Sequence, residues 1–498
     1  MLTTATRHDA IRRAAGNTAS ALDMQLRASK MNVIVPFFYP LPAPTKERRM
    51  PRQGRTIPGC TSRREFLKSS GTALAGAALL GEITARSYAG HDSTIKVALI
   101  GCGFRGTGAA TQVLSTKGPV KLWAMADLFG DRLEASYNRL VHGIQGDYDR
   151  EASAGFAARI DVPPERRFVG FDAYQKAIDS GVDMVLLTTN QHFRPLHFAY
   201  AVKQNKHIFS EKPLGVDVPG IQQLLAANEE AKKKNLKIGV GLNMRHMPRV
   251  QETVRRVKEG AIGPVGLMCC YFNFSGLRET PPRPDNMPEM TYQLRNPYHF
   301  QWLSGDYIVD AVVHYFDLAL WLHGSPPVTA QAQGGRQAYL PNFQGDTFDH
   351  MMVEYTFDDR TKLFAQTRQM PGCWIQSTLQ AYGPKGCANV LHGRIEGQSA
   401  WHAKGSEPNP YQVEHDRLME AIRSDKPYND VDRAATATLS AIMGRMASYS
   451  GQEITWQQVL DSKVRLAPQT YAFEAAPPTV PDKSGRYPVP MPGVTKPY

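Results

Sequence analysis

Residues 95–108 read IKVALIGCGFRGTG, a short apolar run that breaks into three glycines at the spacing Gly-x-Gly-x-x-Gly. A strand that meets Gly101, Gly103 and Gly106 and then opens a helical pattern has few folds open to it. The first glycine permits a tight turn, the second lets backbone approach a bound group, and the third brings helix and strand together. Such a helix aims free N–H groups and the positive end of its dipole at its ligand, which suits a pyrophosphate. Asp127 ends the next apolar run, VKLWAMAD, 21 residues past Gly106. A carboxylate there accepts hydrogen bonds from ribose hydroxyls and repels a 2′-phosphate, so NAD is expected in preference to NADP.

Apolar runs at 95–101, 120–127, 182–189, 206–213 and 236–243 alternate with helix-length segments such as RPLHFAYAVKQN and VPGIQQLLAANEEAKKK. That alternation predicts an α/β fold: a Rossmann domain, with a doubly wound parallel sheet whose strands are buried on both faces. From about residue 262 the runs lengthen and alternate, as in VGLMCCYFNFSG, FDHMMVEYTF and TKLFAQTRQM, which predicts a C-terminal α+β domain with an open antiparallel sheet. The segment ETPPRPDNMPEM and the end of the chain are proline-rich and read as loop or arm. The expected organisation is a leader over 1–61, an export signal over 62–89, a nucleotide domain over 94–214, a substrate domain over 215–465 and an arm over 466–498.

Charge is unevenly spread. The whole chain carries +12, but residues 1–90 hold 14 Lys/Arg against 5 Asp/Glu, which leaves +3 for everything after them. A nucleic-acid footprint belongs on the folded domain, so none is expected. The early charge includes Arg63 and Arg64 in TSRREFLKSSGTALAGAALLG, which resembles a twin-arginine export signal. Its apolar part is shorter than the ~20 residues a spanning helix needs, so no stable membrane insertion is expected after processing. The reading implies the twin-arginine export machinery as a partner and the periplasm as destination. Six cysteines show no metal spacing, and none of Cys102, Cys269, Cys270, Cys373 and Cys387 suggests a disulfide framework. No metal is expected.

The segments GCGFRG, MADL, EKPLGVDVPG and SGDYIVDAVVHYFDLALWL resemble the Gfo/Idh/MocA oxidoreductases over roughly residues 94–465, with Glu211-Lys212-Pro213 the most specific marker. The resemblance implies an NAD-dependent oxidoreductase acting on CH–OH groups of a sugar or polyol. It assigns Lys212 to the reacting hydroxyl and Asp310 and His314 to the Asp-x-x-x-His pair whose histidine is the acid/base. Residues four apart on a helix share a face, and a carboxylate beside an imidazole sets its tautomer and stabilises its protonated form. Phe104, Arg105, Thr188, Asn190, Glu211 and Lys212 join the three glycines and Asp127 as the candidate cofactor set. Arg194 stands where many members carry a histidine.

Further candidates remain open. Asp317, one turn past His314, either orients it or handles surface charge. Arg245 and His246 leave a strand at its carboxyl end, where α/β ligands bind, and Trp302 and Tyr307, with Tyr292 and Tyr298, form either a sugar platform or a packing stripe. The leading expectation is hydride transfer between nicotinamide and a secondary hydroxyl, with tightly bound cofactor and a homo-oligomeric assembly. The alternatives are a redox-cycling glycosidase that oxidises, eliminates and reduces on one NAD, and a non-enzymatic sugar sensor.

Overall fold

The apolar runs of the first half assemble into one sheet. In the computed structural model, which describes residues 93–143, 155–274, 282–337 and 344–497, β1 (Ile95–Ile100), β2 (Val120–Asp127), β3 (Arg167–Val169), β4 (Met184–Leu187), β5 (His207–Ser210) and β6 (Ile238–Val240) lie in the order β3-β2-β1-β4-β5-β6. Every pairing is parallel. The order reverses between β1 and β4, so their carboxyl ends splay apart and open a crevice beside the glycine turn. The leader over 1–61, and the signal over 62–89 with Arg63 and Arg64, lie outside the described residues.

The boundary expected at residue 214 falls short, because β6 completes the parallel sheet at 238–240. The chain also returns to this domain late: the helix Pro410–Arg423 packs on the helix Phe104–Leu114 and places Leu418, Met419 and Ile422 in the same core as β1 and β4. Local periodicity identifies that helix but carries no information about its distant partner.

The second sheet has nine strands: β7 (Leu267–Phe274), β8 (Thr329–Gly335), β9 (His350–Thr356), β10 (Lys362–Gln369), β11 (Gln376–Gly383), β12 (Gly386–Asn389), β13 (Arg394–Gly397), β14 (Trp401–His402) and β15 (Ile454–Thr455), in the order β14-β13-β12-β11-β7-β10-β9-β8-β15. It is mixed and not wholly antiparallel, since β7 and β10 pair in parallel at its centre. Period-2 burial sets its faces: Met351, Val353 and Tyr355 of β9 and Leu363 and Ala365 of β10 point inward, where the helices Val313–His323 and Val431–Ser450 lie.

The proline-rich arm is packed. Phe473 meets Phe129 and Phe171 at ring separations of 5.8 and 5.0 Å, Thr479 O accepts from Gln293 Nε2 at 2.7 Å, and the Tyr487 hydroxyl donates to Glu289 at 2.5 Å. Among the described residues no helix is long and apolar enough to cross a membrane.

Candidate active site

The glycine turn is built for close approach. Gly101 has φ +100°, and a Cβ there would stand 2.6 Å from Thr189 N; a Cβ on Gly106 would meet Gly101 O at 1.9 Å. Gly103 has open space around it and caps the helix Phe104–Leu114, whose N-terminus carries no side-chain cap. That leaves first-turn N–H groups for a phosphate. Beside the turn lies a cleft lined by Ile100, Ala126, Asp127, Leu128, Phe171 and Phe193 among others. Asp127 forms its polar end, with one carboxylate oxygen accepting from Cys102 N at 2.6 Å and the other from Phe129 N at 2.9 Å. Burial raises its pKa against these hydrogen bonds. A dinucleotide fits this arrangement: phosphates at the uncapped helix, ribose at the carboxylate, adenine against the apolar walls.

Other members of the expected cofactor set turn elsewhere. Arg105 donates to Glu211 at 2.5 Å and to Gln112 at 3.0 Å, so its guanidinium is held in an ion pair below the turn. Glu211 is buried; desolvation works to raise its pKa, but the charges of Arg105 and Arg194 outweigh it and hold the carboxylate below its usual range. Thr188 Oγ1 donates to the carbonyls of Ile100 and Gly101, which clamps the turn from beneath. Phe104 stands exposed at the helix start and Asn190 is half-buried at the end of β4.

Beyond the carboxyl ends of β4 and β5 a polar cluster forms. Lys212 Nζ donates to the Asp310 carbonyl at 2.6 Å and lies 3.5 Å from its carboxylate. Asp310 Oδ1 also accepts from Gln191 Nε2 at 2.5 Å. His314 is half-buried beside them; its Nδ1 is shielded and has no hydrogen-bond partner among the described residues. Burial first, then the Lys212 charge, holds its pKa well below the usual imidazole range, which keeps the ring neutral. Half-buried Tyr307 closes one side, with its ring 5.5 Å from Phe272, and burial and Asp310 raise its pKa.

The expected Asp310–His314 hydrogen bond is absent. The helix Tyr307–Asp310 ends at Asp310 and a new one, Val313–His323, starts after a turn at Ala311 and Val312. The Asp310 carboxylate serves Lys212 and Gln191 instead. Asp317 does not orient His314 either: it accepts from Arg245 Nε at 2.6 Å and lies 3.7 Å from Arg433. Arg245, so engaged and stacked 4.5 Å over Trp321, is a strut between the turn after β6 and the helix Val313–His323, not a free substrate ligand. His246 turns inward among Arg417, Arg433 and Arg245; both ring nitrogens are buried without partners, and burial pushes its pKa down to about 3. Trp302 is fully buried, donates to Gln293 Oε1 at 2.7 Å and belongs with Tyr292 to a packed core, so neither forms a platform.

One supporting residue, Gln191, escapes a sequence reading: it has no titratable chemistry to attract notice, and only its place four residues past the end of β4 points to it. Arg194 is buried and donates to Pro213 O at 2.5 Å, so it braces the segment carrying Lys212.

Residues 95–241 match the oxidoreductase family with an NAD-binding Rossmann fold, GFO_IDH_MocA, and residues 250–389 match the GFO/IDH/MocA C-terminal domain. The chain is 26% identical over 295 residues to scyllo-inositol 2-dehydrogenase (NAD(+)) of Bacillus subtilis (strain 168), covering 56% of this chain and 77% of that protein. Among solved structures it is similar in fold to levoglucosan dehydrogenase in complex with NADH and levoglucosan, with a TM-score of 0.56 at 16% identity, covering 74% of this chain and 100% of that one. It is similarly related to scyllo-inositol dehydrogenase of Lactobacillus casei with bound NAD(H) and scyllo-inositol, with a TM-score of 0.54 at 16% identity over 73% and 100% of the two chains. With the glycine turn, the Asp127 cleft and both domain matches in agreement, the chain belongs to the Gfo/Idh/MocA family of NAD-dependent oxidoreductases acting on CH–OH groups.

Proposed function

We propose that the protein transfers hydride between nicotinamide and a secondary hydroxyl of a sugar, sugar derivative or polyol. The observation that carries this is the polar cluster at the strand ends: an ammonium, Lys212, held at 2.6 Å by the Asp310 carbonyl next to the neutral imidazole of His314, whose Nε2 is not shielded. Oxidising an alcohol needs a base for the hydroxyl proton and a cation for the developing alkoxide. In the Nδ1–H tautomer, His314 presents Nε2, the ring nitrogen that is not shielded, and accepts the proton there. Lys212 donates to the same oxygen as negative charge grows on it. Asp310 and Gln191 hold Lys212 in place, and Tyr307 with Phe272 offers an apolar wall to the C–H face of a ring. NAD, when bound, supplies the hydride acceptor at nicotinamide C4. Inositols and levoglucosan, named for similar proteins, belong to the substrate class this wall and ion pair suit.

The test supplies the purified chain with NAD⁺ and a panel of inositols, aldoses and levoglucosan, and follows NADH with product analysis. Stoichiometric ketone and NADH support the reading. Aglycone release with no net NADH from glycoside substrates would replace it with the redox-cycling reaction.

We further propose export to the periplasm by the twin-arginine machinery, on the order of parts in residues 61–81. Arg63→Lys together with Arg64→Lys strands the precursor in the cytoplasm on this reading; undiminished export of the double variant removes it.

A further inference from the structure

The helix Val431–Ser450, the start of the helix Val218–Lys233 and the C-terminal arm line a second, solvent-connected cleft. It is separate from the Asp127 cleft and from the Lys212 cluster. Arg445 lines it and is only 6% exposed. A guanidinium has five N–H donors. Arg445 gives one nitrogen, NH1, to Gly305 O at 3.1 Å, while Nε and NH2 have no acceptor among the described residues. No carboxylate forms an ion pair with it there. Asp217 also lines the cleft, but its oxygens already accept from Gly220 N at 2.8 Å and Leu466 N at 2.7 Å. Asp306, behind Arg445, is taken up by the Tyr449 hydroxyl and by the main-chain N–H groups of Phe348 and Tyr307.

A buried cation with donors to spare is costly unless an acceptor meets it. The rest of the lining supplies what an anion needs. Gln301 lines the cleft, its side-chain amide has no hydrogen-bond partner among the described residues, and the exposed Lys496 adds a second positive charge from the arm. Apolar walls from Ile442, Met446 and Pro490 limit water and strengthen the attraction.

We propose that this cleft binds a small oxyanion, a phosphate or a small carboxylate, in the fork of Arg445 with Gln301 and Lys496 completing the shell. The binding locks the arm to the helix Val431–Ser450. Through the Arg445–Gly305 hydrogen bond it also supports the turn that leads into Tyr307 and Asp310.

The experiment measures the melting temperature of the full chain saturated with NAD, so that the glycine turn is not the anion's target. Inorganic phosphate, succinate and, at matched ionic strength, chloride are titrated separately. Saturable stabilisation by phosphate alone assigns a phosphate site, and by succinate a carboxylate site; chloride has no saturable effect. Lys496→Glu, on the exposed arm, weakens the apparent affinity about tenfold, and Gln301→Ala weakens it less. The proposal is overturned if no oxyanion stabilises saturably, or if Lys496→Glu, Gln301→Ala and Arg445→Lys all titrate like the parent. Because the readout depends on residues remote from the glycine turn, a failure of NAD to bind would not imitate either result.

Discussion

The helix Val313–His323 serves two polar regions that contain the same kinds of residue and do opposite things. At its first turn, His314 lies beside Lys212 with no hydrogen-bond partner among the described residues, while the Lys212 ammonium is held by Asp310 alone there. One turn on, Asp317 accepts from Arg245 through both its carboxylate and its carbonyl, faces Arg433, and lies under a guanidinium stacked on Trp321. On the proposed function the first region keeps an ammonium and an imidazole nitrogen for a substrate, whereas the charges of the second are paired with one another. Whether a charged residue can do chemistry is decided by what it has left over, and residue type alone does not report that.

Deleting from each region gives different signatures, and the largest effect is expected in the first. His314→Ala and Lys212→Ala reduce turnover by ~10² to 10⁴ while changing NAD affinity little, because the loss falls on the transition state. The two losses are far from additive if both groups act on one oxygen. Single-turnover NAD reduction checks this, and a His314→Ala rate equal to the parent's would make His314 a core residue and end the comparison.

In the second region Asp317→Ala acts on folding. It leaves the Arg245 guanidinium without its carboxylate, while Arg433 keeps Asp430, at a cost of about 3 kcal/mol. Urea unfolding should register that loss, while turnover per folded molecule stays within about twofold, since no contact with substrate is removed. A large fall in kcat with intact stability would move Asp317 into the reacting cluster.

A smaller effect separates the buried histidines. His246 is neutral in the native protein, with a pKa near 3 against about 6.5 unfolded. The unfolded chain therefore takes up the proton first, and stability is lost as pH falls from 6.5 toward 3. At pH 5 this amounts to about 2 kcal/mol. His246→Leu removes that dependence, so whatever it costs at pH 7.5 shrinks by about 2 kcal/mol at pH 5. Chemical denaturation at the two values measures it; an unchanged difference would mean the His246 pKa is the same in the folded and unfolded chain, and a cost that grows at pH 5 would mean the imidazole is protonated in the native state.

The sequence carried the nucleotide domain well because its signals are local. Five of six parallel strands coincide with apolar runs; β3, only Arg167–Val169, is too short and too polar to stand out. The parallel β7–β10 pairing joins residues far apart in the chain, and alternation looks the same in either direction. The Asp310–His314 spacing assumes an unbroken helix, whereas a turn at Ala311 and Val312 divides the segment and the Asp310 carboxylate meets Lys212 and Gln191 instead. Trp302 and Tyr292 misled for another reason: an aromatic ring suits a sugar face and a core equally, and only burial distinguishes them.

The smallest predicted effect sharpens the comparison at the cofactor end, where Asp127 lies between the two behaviours. It holds Cys102 N and Phe129 N, as a structural carboxylate does, yet it lines the open cleft, as a ligand does. Asp127→Ala removes both roles. NAD affinity falls about tenfold, while NADP, released from repulsion by the carboxylate, loses less or gains, so the preference between them narrows. Asp127→Asn separates the two contributions. Its single acceptor oxygen can still hold one of the two N–H groups, and its amide no longer repels a 2′-phosphate. If charge sets the choice, Asn narrows the preference nearly as far as Ala while losing less NAD affinity. If Asn retains the parent's preference, the selectivity comes from the shape of the glycine turn that Asp127 braces, and the carboxylate belongs with Asp317 among the structural charges. Dissociation constants for both dinucleotides, measured on the three proteins at one ionic strength, distinguish these outcomes.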